Sequence, residues 1–206
     1  MAPLKVSIIV AMVRETGGIG VNNSLPWRLS KDLEYFRAMT MGHNVVMGRR
    51  TWDSLPSKVR PLIGRTNIVL TRSPTKQADL NMIPNTRAKG SLHEALESLD
   101  DTKECFIIGG AQVYCEAICD ERCTDIYATL IDRELECDTF FPIKLIPFYG
   151  FKVAHESDYK FESDIRYQYV HYKRAMRDSN CLSINHVNDD NTNHHDDRSI
   201  NSPIHS

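Results

Sequence analysis

Residues 44–51 read NVVMGRRT: an apolar run, then a glycine, two arginines and a hydroxyl. A short apolar run without polar alternation is the pattern of a strand covered on both faces. The glycine then leads into a helix whose first amides have no partner within it and face anions. The stretch therefore predicts a buried parallel strand with a phosphate site at its carboxyl end. The same grammar recurs on either side of it. Residues 5–13 (KVSIIVAMV), 67–71 (NIVLT) and 104–108 (ECFII) read as strands, as do 124–132, 151–156 and 165–173. Helical pattern falls at Ser30–Met41, Arg49–Leu55, Ser91–Leu99 and Ala111–Cys119, with Ser91 and Glu94 spaced as a capping box. Strands alternating with crossover helices predict a doubly wound α/β fold with a mostly parallel sheet, closed by antiparallel C-terminal strands. Ligands should gather at the carboxyl ends of the strands.

Two further strand ends carry anion chemistry. The run ending at Ile108 meets Gly109 and Gly110 before the helix that starts AQVY, and paired glycines let a backbone approach a pyrophosphate closely. The run 67–71 ends in Thr71 and Arg72, where an NAD-selective site would place an acid for the ribose hydroxyl; a base there favours a 2′-phosphate, hence NADPH. Each feature alone has a bland reading as solvated arginine or tight turn. One extended ligand with several phosphates accounts for all three.

Asp32 is the acid that stands out. Ser30 reads as the N-cap of its helix, which places Asp32 in the first turn, where the macrodipole favours an anion. At 100° per residue, however, Asp32 falls within the sector of Leu33, Tyr35, Phe36 and Met39, the apolar side of the helix. A carboxyl so placed either finds donors or is pushed toward its protonated form, and an acid of that kind facing a cleft is a candidate proton donor. The preceding segment, GGIGVNNSLPWRLS, reads as a mobile loop anchored by Trp27, of the sort that closes over a site.

Composition excludes several classes. The chain has 206 residues, 41% hydrophobic and 25% charged, enough for one domain with a real core. No run approaches a membrane span, and the start MAPLKVSIIVAMV has no cleavage signal, so a cytosolic protein is expected. Residues 175–206 hold two arginines and five aspartates, leaving the first 174 residues with 23 bases against 22 acids. That near-neutral body lacks the broad basic face of a nucleic-acid binder. The same segment, rich in Asn, Asp, Ser and His and without aromatics, reads as a disordered tail. The six cysteines read as reduced thiols; Cys115, Cys119 and Cys123 recur every four residues and could share a helix face, but supply too few ligands for structural zinc.

IVAMV, GIGVNNSLPW, Asp32, VVMGRRTWDSLP, RPLIGRTNIVLTR, FIIGGAQVY and DTFFP follow one another in the order found in dihydrofolate reductases. The match spans roughly residues 4 to 174, so a domain over 1–174 resembles the animal-type, single-domain form of that family, without the thymidylate synthase fused to it in some protists and plants. The resemblance implies NADPH-dependent reduction of 7,8-dihydrofolate, inhibition by methotrexate, a monomer, and no metal. It implies that Asp32 bonds the pterin and promotes protonation at N5 through water, with Trp27 and Thr129 holding its surroundings. It further implies that Arg65 forks onto the folate α-carboxylate. Leu33, Phe36, Leu55 and Leu62 would line the substrate cavity, above a floor and carbonyls from Ile9, Val10 and Ile108. The cofactor would meet Ala11, Ile19 and Gly20 at the nicotinamide. Along its length it would meet Gly48, Arg49, Arg50, Thr51, Thr71, Arg72, Gly110, Ala111, Gln112, Val113 and Tyr114. The Arg60–Pro61 and Gly109–Gly110 peptides would be cis. Two positions depart from the vertebrate pattern: Asp32 where vertebrates carry Glu, and Leu33 where they carry Phe. Two rivals are an NADPH-dependent pyrimidine reductase of riboflavin synthesis on the same sheet, and a silent paralogue that binds folate or RNA. The first lacks the combination of LPW, helix acid and GRTN arginine, and the second sits poorly with intact chemistry positions.

Overall fold

The computed structural model describes residues 4–175. The predicted tail from 176 onward lies outside the described residues. Ala175 itself belongs to the body, its N–H donating to Gly150 O at 2.9 Å.

The strands are β1 (Val6–Val13), β2 (Gly18–Gly20), β3 (Asn44–Gly48), β4 (Thr66–Leu70), β5 (Thr86–Lys89), β6 (Cys105–Ile107), β7 (Cys123–Asp132), β8 (Thr139–Phe140), β9 (Phe151–Glu156), β10 (Lys160–Glu162) and β11 (Ile165–Arg174). The helices are α1 (Ser30–Thr40), α2 (Arg49–Ser54), α3 (Pro74–Asn81), α4 (Leu92–Glu97), α5 (Ala111–Cys119) and α6 (Leu145–Phe148), with a 3-10 turn at Ser57–Val59. The main sheet runs β10-β11-β7-β1-β6-β3-β4-β5, with β9 also paired to β11. From β7 to β5 it is parallel, and β9, β10 and β11 make its antiparallel side. This is the expected mostly parallel α/β sheet.

Both faces are covered, which explains the unbroken apolar runs. Alternate side chains of β1 part company: Val6, Ile8, Val10 and Met12 pack with Leu92, Leu96, Val113 and Ile118 of α4 and α5. Ile9 faces the other way, into a cluster with Trp52, Leu62, Leu80 and Phe106, against which Tyr35, Phe36 and Met39 of α1 pack. Burial of these strands is the main stabilising term of the fold.

Three expectations need correction, and some elements were not foreseen. Ser30 does not cap α1: Leu29 is the N-cap and makes no side-chain cap bond, and Ser30 is already helical. Ser91 does cap α4, accepting from Glu94 N–H at 3.1 Å, but Glu94 Oε2 accepts from Gly90 N–H at 2.7 Å rather than from Ser91 N–H. The three spaced cysteines do not share a helix face, because α5 ends at Cys119 and Cys123 is buried at the start of β7. Finally, β5 and α3 were not anticipated. Both pack thinly, with only Thr86 buried in TRAK and only Leu80 in PTKQADLN, so neither carries a clear apolar period. The start signals of α3 are nonetheless present: Ser73 accepts from Lys76 N, and Pro74 opens the helix.

The strand order reverses around β1, and this makes the cleft. β6 pairs with β1 only over Val6–Ile8 and with β3 only over Asn44–Val46, while β1 runs on along β7 to Val13. The chain leaving β6 stays with β3, through Ile108 N–H to Val46 O at 2.9 Å and Gly48 N–H to Gly109 O at 2.7 Å. Beyond Ile8, therefore, β1 has no ladder partner on that side, and a crevice opens at the carboxyl ends of the strands, where such sheets bind ligands.

Candidate active site

The crevice is a cleft of about 1480 Å³. Single small ligands occupy about 300–1,000 Å³, so this cleft suits a long ligand and a second one beside it. Its lining divides accordingly.

At one end α1 presents Asp32, Leu33 and Phe36 to the opening, facing Ile9, Val10 and Ala11 of β1, Ile108 after β6, and Leu55 and Leu62 across the gap. Thr129, opposite Ala11 on β1 and Tyr169 on β11, lies on the sheet face that α1 covers. Its Oγ1 donates to Asp32 Oδ1 at 2.6 Å across 97 residues of chain. Burial pushes the Asp32 carboxyl up from its ordinary value; the Thr129 hydroxyl opposes this, and the nearby Glu162 charge adds to it. The acid therefore turns toward the groove, as its place on the helix predicted.

Outward along α1 stands Arg65. Its Nη1 donates to Thr40 Oγ1 at 3.1 Å and its Nε to Ile63 O at 3.2 Å, and the guanidinium lies 5.8 Å from the Phe36 ring centre. Arg37 lines the same end, and its charge together with burial lowers the Arg65 pKa. Two like cations at one mouth suit an anionic group between them.

The other end gathers the strand–helix junctions: Gly48 to Thr51, Thr71 and Arg72, and Gly110 to Tyr114. Gly48 and Gly110 are the N-caps of α2 and α5 and offer no side-chain cap, so the first amides of both helices are open to an anion. The Gly109–Gly110 peptide is cis, as is Arg60–Pro61. Gly109 sits at φ +115°, and a Cβ on Gly110 would lie 3.3 Å from Thr51 Oγ1, so backbone rather than side chain faces the cleft there. Tyr114 Oη donates to Ile9 O at 3.0 Å and ties α5 to the unpaired side of β1. Arg49 is held by Asp53 at 2.8 Å.

Between the two ends, Ile19 and Gly20 reach the cleft from β2, in the loop segment after β1. This loop is laced to the segment around β8: Phe141 N–H donates to Gly17 O at 2.7 Å, Asp138 N–H to Gly20 O at 3.0 Å, and Asn22 N–H to Asp138 Oδ2 at 2.8 Å. Trp27 anchors its end, 8% exposed among Val13, Leu29, Ile131, Ile165 and Tyr167.

Residues 5–174 match the family described as dihydrofolate reductase. The chain belongs to the dihydrofolate reductase family. It is 38% identical over 188 residues to the dihydrofolate reductase of Aedes albopictus, covering 84% of this chain and 99% of that one. It is 39% identical over 172 residues to that of Neisseria meningitidis serogroup B, covering 83% and 99%. Similarity extends to the bifunctional dihydrofolate reductase-thymidylate synthase of Glycine max, 38% identical over 180 residues; there the match covers 81% of this chain but spans only 33% of the plant protein. Membership implies a nicotinamide cofactor, and the backbone cradle at Gly48 and Gly109–Gly110 fits the phosphates of one.

Every site residue expected of this dihydrofolate reductase relative lines the one cleft except Trp27, which packs behind the loop with its buried Nε1 unpaired among the described residues. The sequence reading missed Arg37, Tyr35 and the Gly90–Ser91 junction after β5, which all line the cleft. The last had a signal: a glycine followed by the Ser91 cap repeats the strand–glycine–helix grammar, but the polar strand TRAK concealed it.

Proposed function

We propose that this protein reduces 7,8-dihydrofolate to 5,6,7,8-tetrahydrofolate: dihydrofolate, NADPH and a proton give tetrahydrofolate and NADP⁺. The observation that carries the reading is a half-buried carboxyl on the apolar wall of a two-ligand cleft, Asp32, bonded to Thr129 at 2.6 Å. When bound, the reduced nicotinamide supplies the hydride that C6 of the pterin accepts. The chain's own residues do the rest. Asp32, its proton affinity raised by burial, accepts N–H groups of the pterin and holds the proton that passes through water to N5. Leu33, Phe36, Leu55 and Leu62 keep the ring region dry, and Ile9, Val10 and Ile108 form its floor. Arg65 takes the α-carboxylate, with Arg37 beside it.

Gly48, Arg49, Arg50, Thr51 and Gly110 to Tyr114 hold the cofactor phosphates, while Thr71 and Arg72 favour a 2′-phosphate and so NADPH. Ala11, Ile19 and Gly20 flank the nicotinamide. Residues 1–174 act as the catalytic unit, as a monomer in the cytosol, and methotrexate competes at the Asp32 end. The test is dihydrofolate-dependent loss of reduced-nicotinamide absorbance, blocked by methotrexate. Asp32→Asn should slow hydride transfer by about 10² or more at neutral pH, the scale for loss of a general acid. No oxidation with dihydrofolate would overturn the reaction; wild-type turnover in the variant would remove Asp32 from it.

A further inference from the structure

α1 begins without a cap of its own, yet its first two amides are satisfied. Leu33 N–H reaches back to Leu29 O at 3.1 Å. The amides of Ser30 and Lys31 donate instead to Glu162, to Oε1 at 2.7 Å and Oε2 at 3.1 Å. The carboxylate at the end of β10 thus closes the turn that carries Asp32, from more than 130 residues away in the chain. The same hairpin grips α1 in two other ways. Tyr169 Oη donates to Lys31 O at 3.4 Å, and its ring lies 4.2 Å from that of Tyr35, centre to centre. Ile165 and Tyr167 bury against Trp27 and Leu29, just ahead of the helix.

The groups acting on Asp32 come from four elements. Tyr35 belongs to α1 itself, Tyr167 and Tyr169 to β11, Thr129 to β7 and Glu162 to β10. All three tyrosines are kept neutral by burial, Tyr35 being pushed up to about 12. Glu162 is different. The two amides it caps draw its carboxyl below the ordinary value, with Lys31 adding to the effect, so its ionised form is favoured.

We propose that Glu162 is a positioning residue for the chemistry at Asp32: bonded to the first two amides of α1, it fixes that turn from the neighbouring hairpin and sets a like charge beside the acid. The proposal rests on the reading of Asp32 as proton carrier given above. The cap keeps Asp32 aimed at the groove and at Thr129. The like charge makes Asp32 hold its proton more tightly, and because Glu162 does not line the cleft it does so from outside the ligand groove. A helix cap whose charge does not reach the acid would stabilise α1 and leave the acid's titration alone.

The two roles separate in a titration of the Asp32 carboxyl carbon by NMR, assigned by its absence from Asp32→Asn, in the full chain. Glu162→Gln should lower the Asp32 midpoint by about 0.3 unit, the size expected of one water-screened charge. Glu162→Asp keeps the charge and should stay at the wild-type midpoint. The pH profile of hydride transfer should move with the carboxyl, so that Glu162→Gln is about twofold slower above the midpoint. An Asp32 midpoint unchanged in Glu162→Gln overturns the proposal, even if the melting temperature falls, since lost capping alone would do that. A wild type that does not reduce dihydrofolate, with the Glu162→Gln shift intact, would support the coupling and remove the reaction assigned to it.

Discussion

Replacing Thr129 by valine deletes one hydroxyl from a nearly shape-matched side chain. Thr129 is 3% exposed, and its bond to Asp32 at 2.6 Å has the length of a charge-assisted O–H···O⁻ contact. Hydrogen bonds to charged groups contribute about 1.5–3 kcal/mol. That energy belongs to ionised Asp32, because a hydroxyl donor favours the carboxylate over the acid. In the folded wild type, burial holds the Asp32 pKa above its unfolded value and Thr129 pulls it part of the way back. Without the donor the folded pKa rises further. The variant should therefore be less stable by about 1.5–3 kcal/mol at pH values where Asp32 is ionised, with the deficit fading as pH falls through the Asp32 titration. Proton affinity should rise about tenfold or more, since 1.4 kcal/mol corresponds to one pKa unit. Urea unfolding of both proteins across a pH series measures the first effect, and single-turnover hydride transfer across the same series measures the second. A deficit equal at every pH, or a rate profile that does not move toward higher pH, would refute the assignment of the bond to the ionised acid.

Arg65→Lys loses the planar fork, so KM for dihydrofolate should rise about tenfold or more with kcat nearly unchanged, as for an interaction equal in ground and transition states. A substrate truncated before its α-carboxylate should not distinguish the variant from the wild type, and if it does, Arg65 acts elsewhere. Neutralising Arg49 and Arg72 together should narrow the preference for NADPH over NADH; steady-state kinetics with both cofactors giving an unchanged ratio would assign the 2′-phosphate to other residues. Asp32→Asn should be more stable than the wild type at neutral pH, because burial makes ionised Asp32 costly. With a folded pKa above the unfolded one, that gain should shrink as pH falls through the Asp32 titration, and thermal melts that show it growing in acid would reverse the sign argued here.

How legible each feature was in the sequence follows from how local its cause is. β1, β3, β4 and β6 could be read because both their faces are buried and the apolar runs are therefore unbroken. Gly48 and Gly109–Gly110 could be read because the turn needs them whatever surrounds it. The edge strand β5 and the helix α3 could not, since each buries a single side chain and leaves no period to detect. Ser30 misled for a related reason. A serine before a helix satisfies the local rule for a cap, but the helix begins one residue earlier: Leu33 N–H is already bonded to Leu29 O, and the amides of Ser30 and Lys31 are held by Glu162 from a distant hairpin.

The sequence by itself determined the alternation of strand and helix, the junctions that face a phosphate, and an acid set among apolar neighbours on α1. These are properties of residues within a few positions of one another, where periodicity and glycine geometry act directly. The family resemblance already set Thr129 beside Asp32; only the tertiary structure decided that the two would bond directly, that Glu162 would close the turn beneath the acid, that Arg37 would join Arg65, and that Trp27 would stand behind the cleft wall instead of in it. Those meetings depend on strand register and on how a helix lies across a sheet, and a hydrogen bond spanning 97 residues has no trace in the composition of either end.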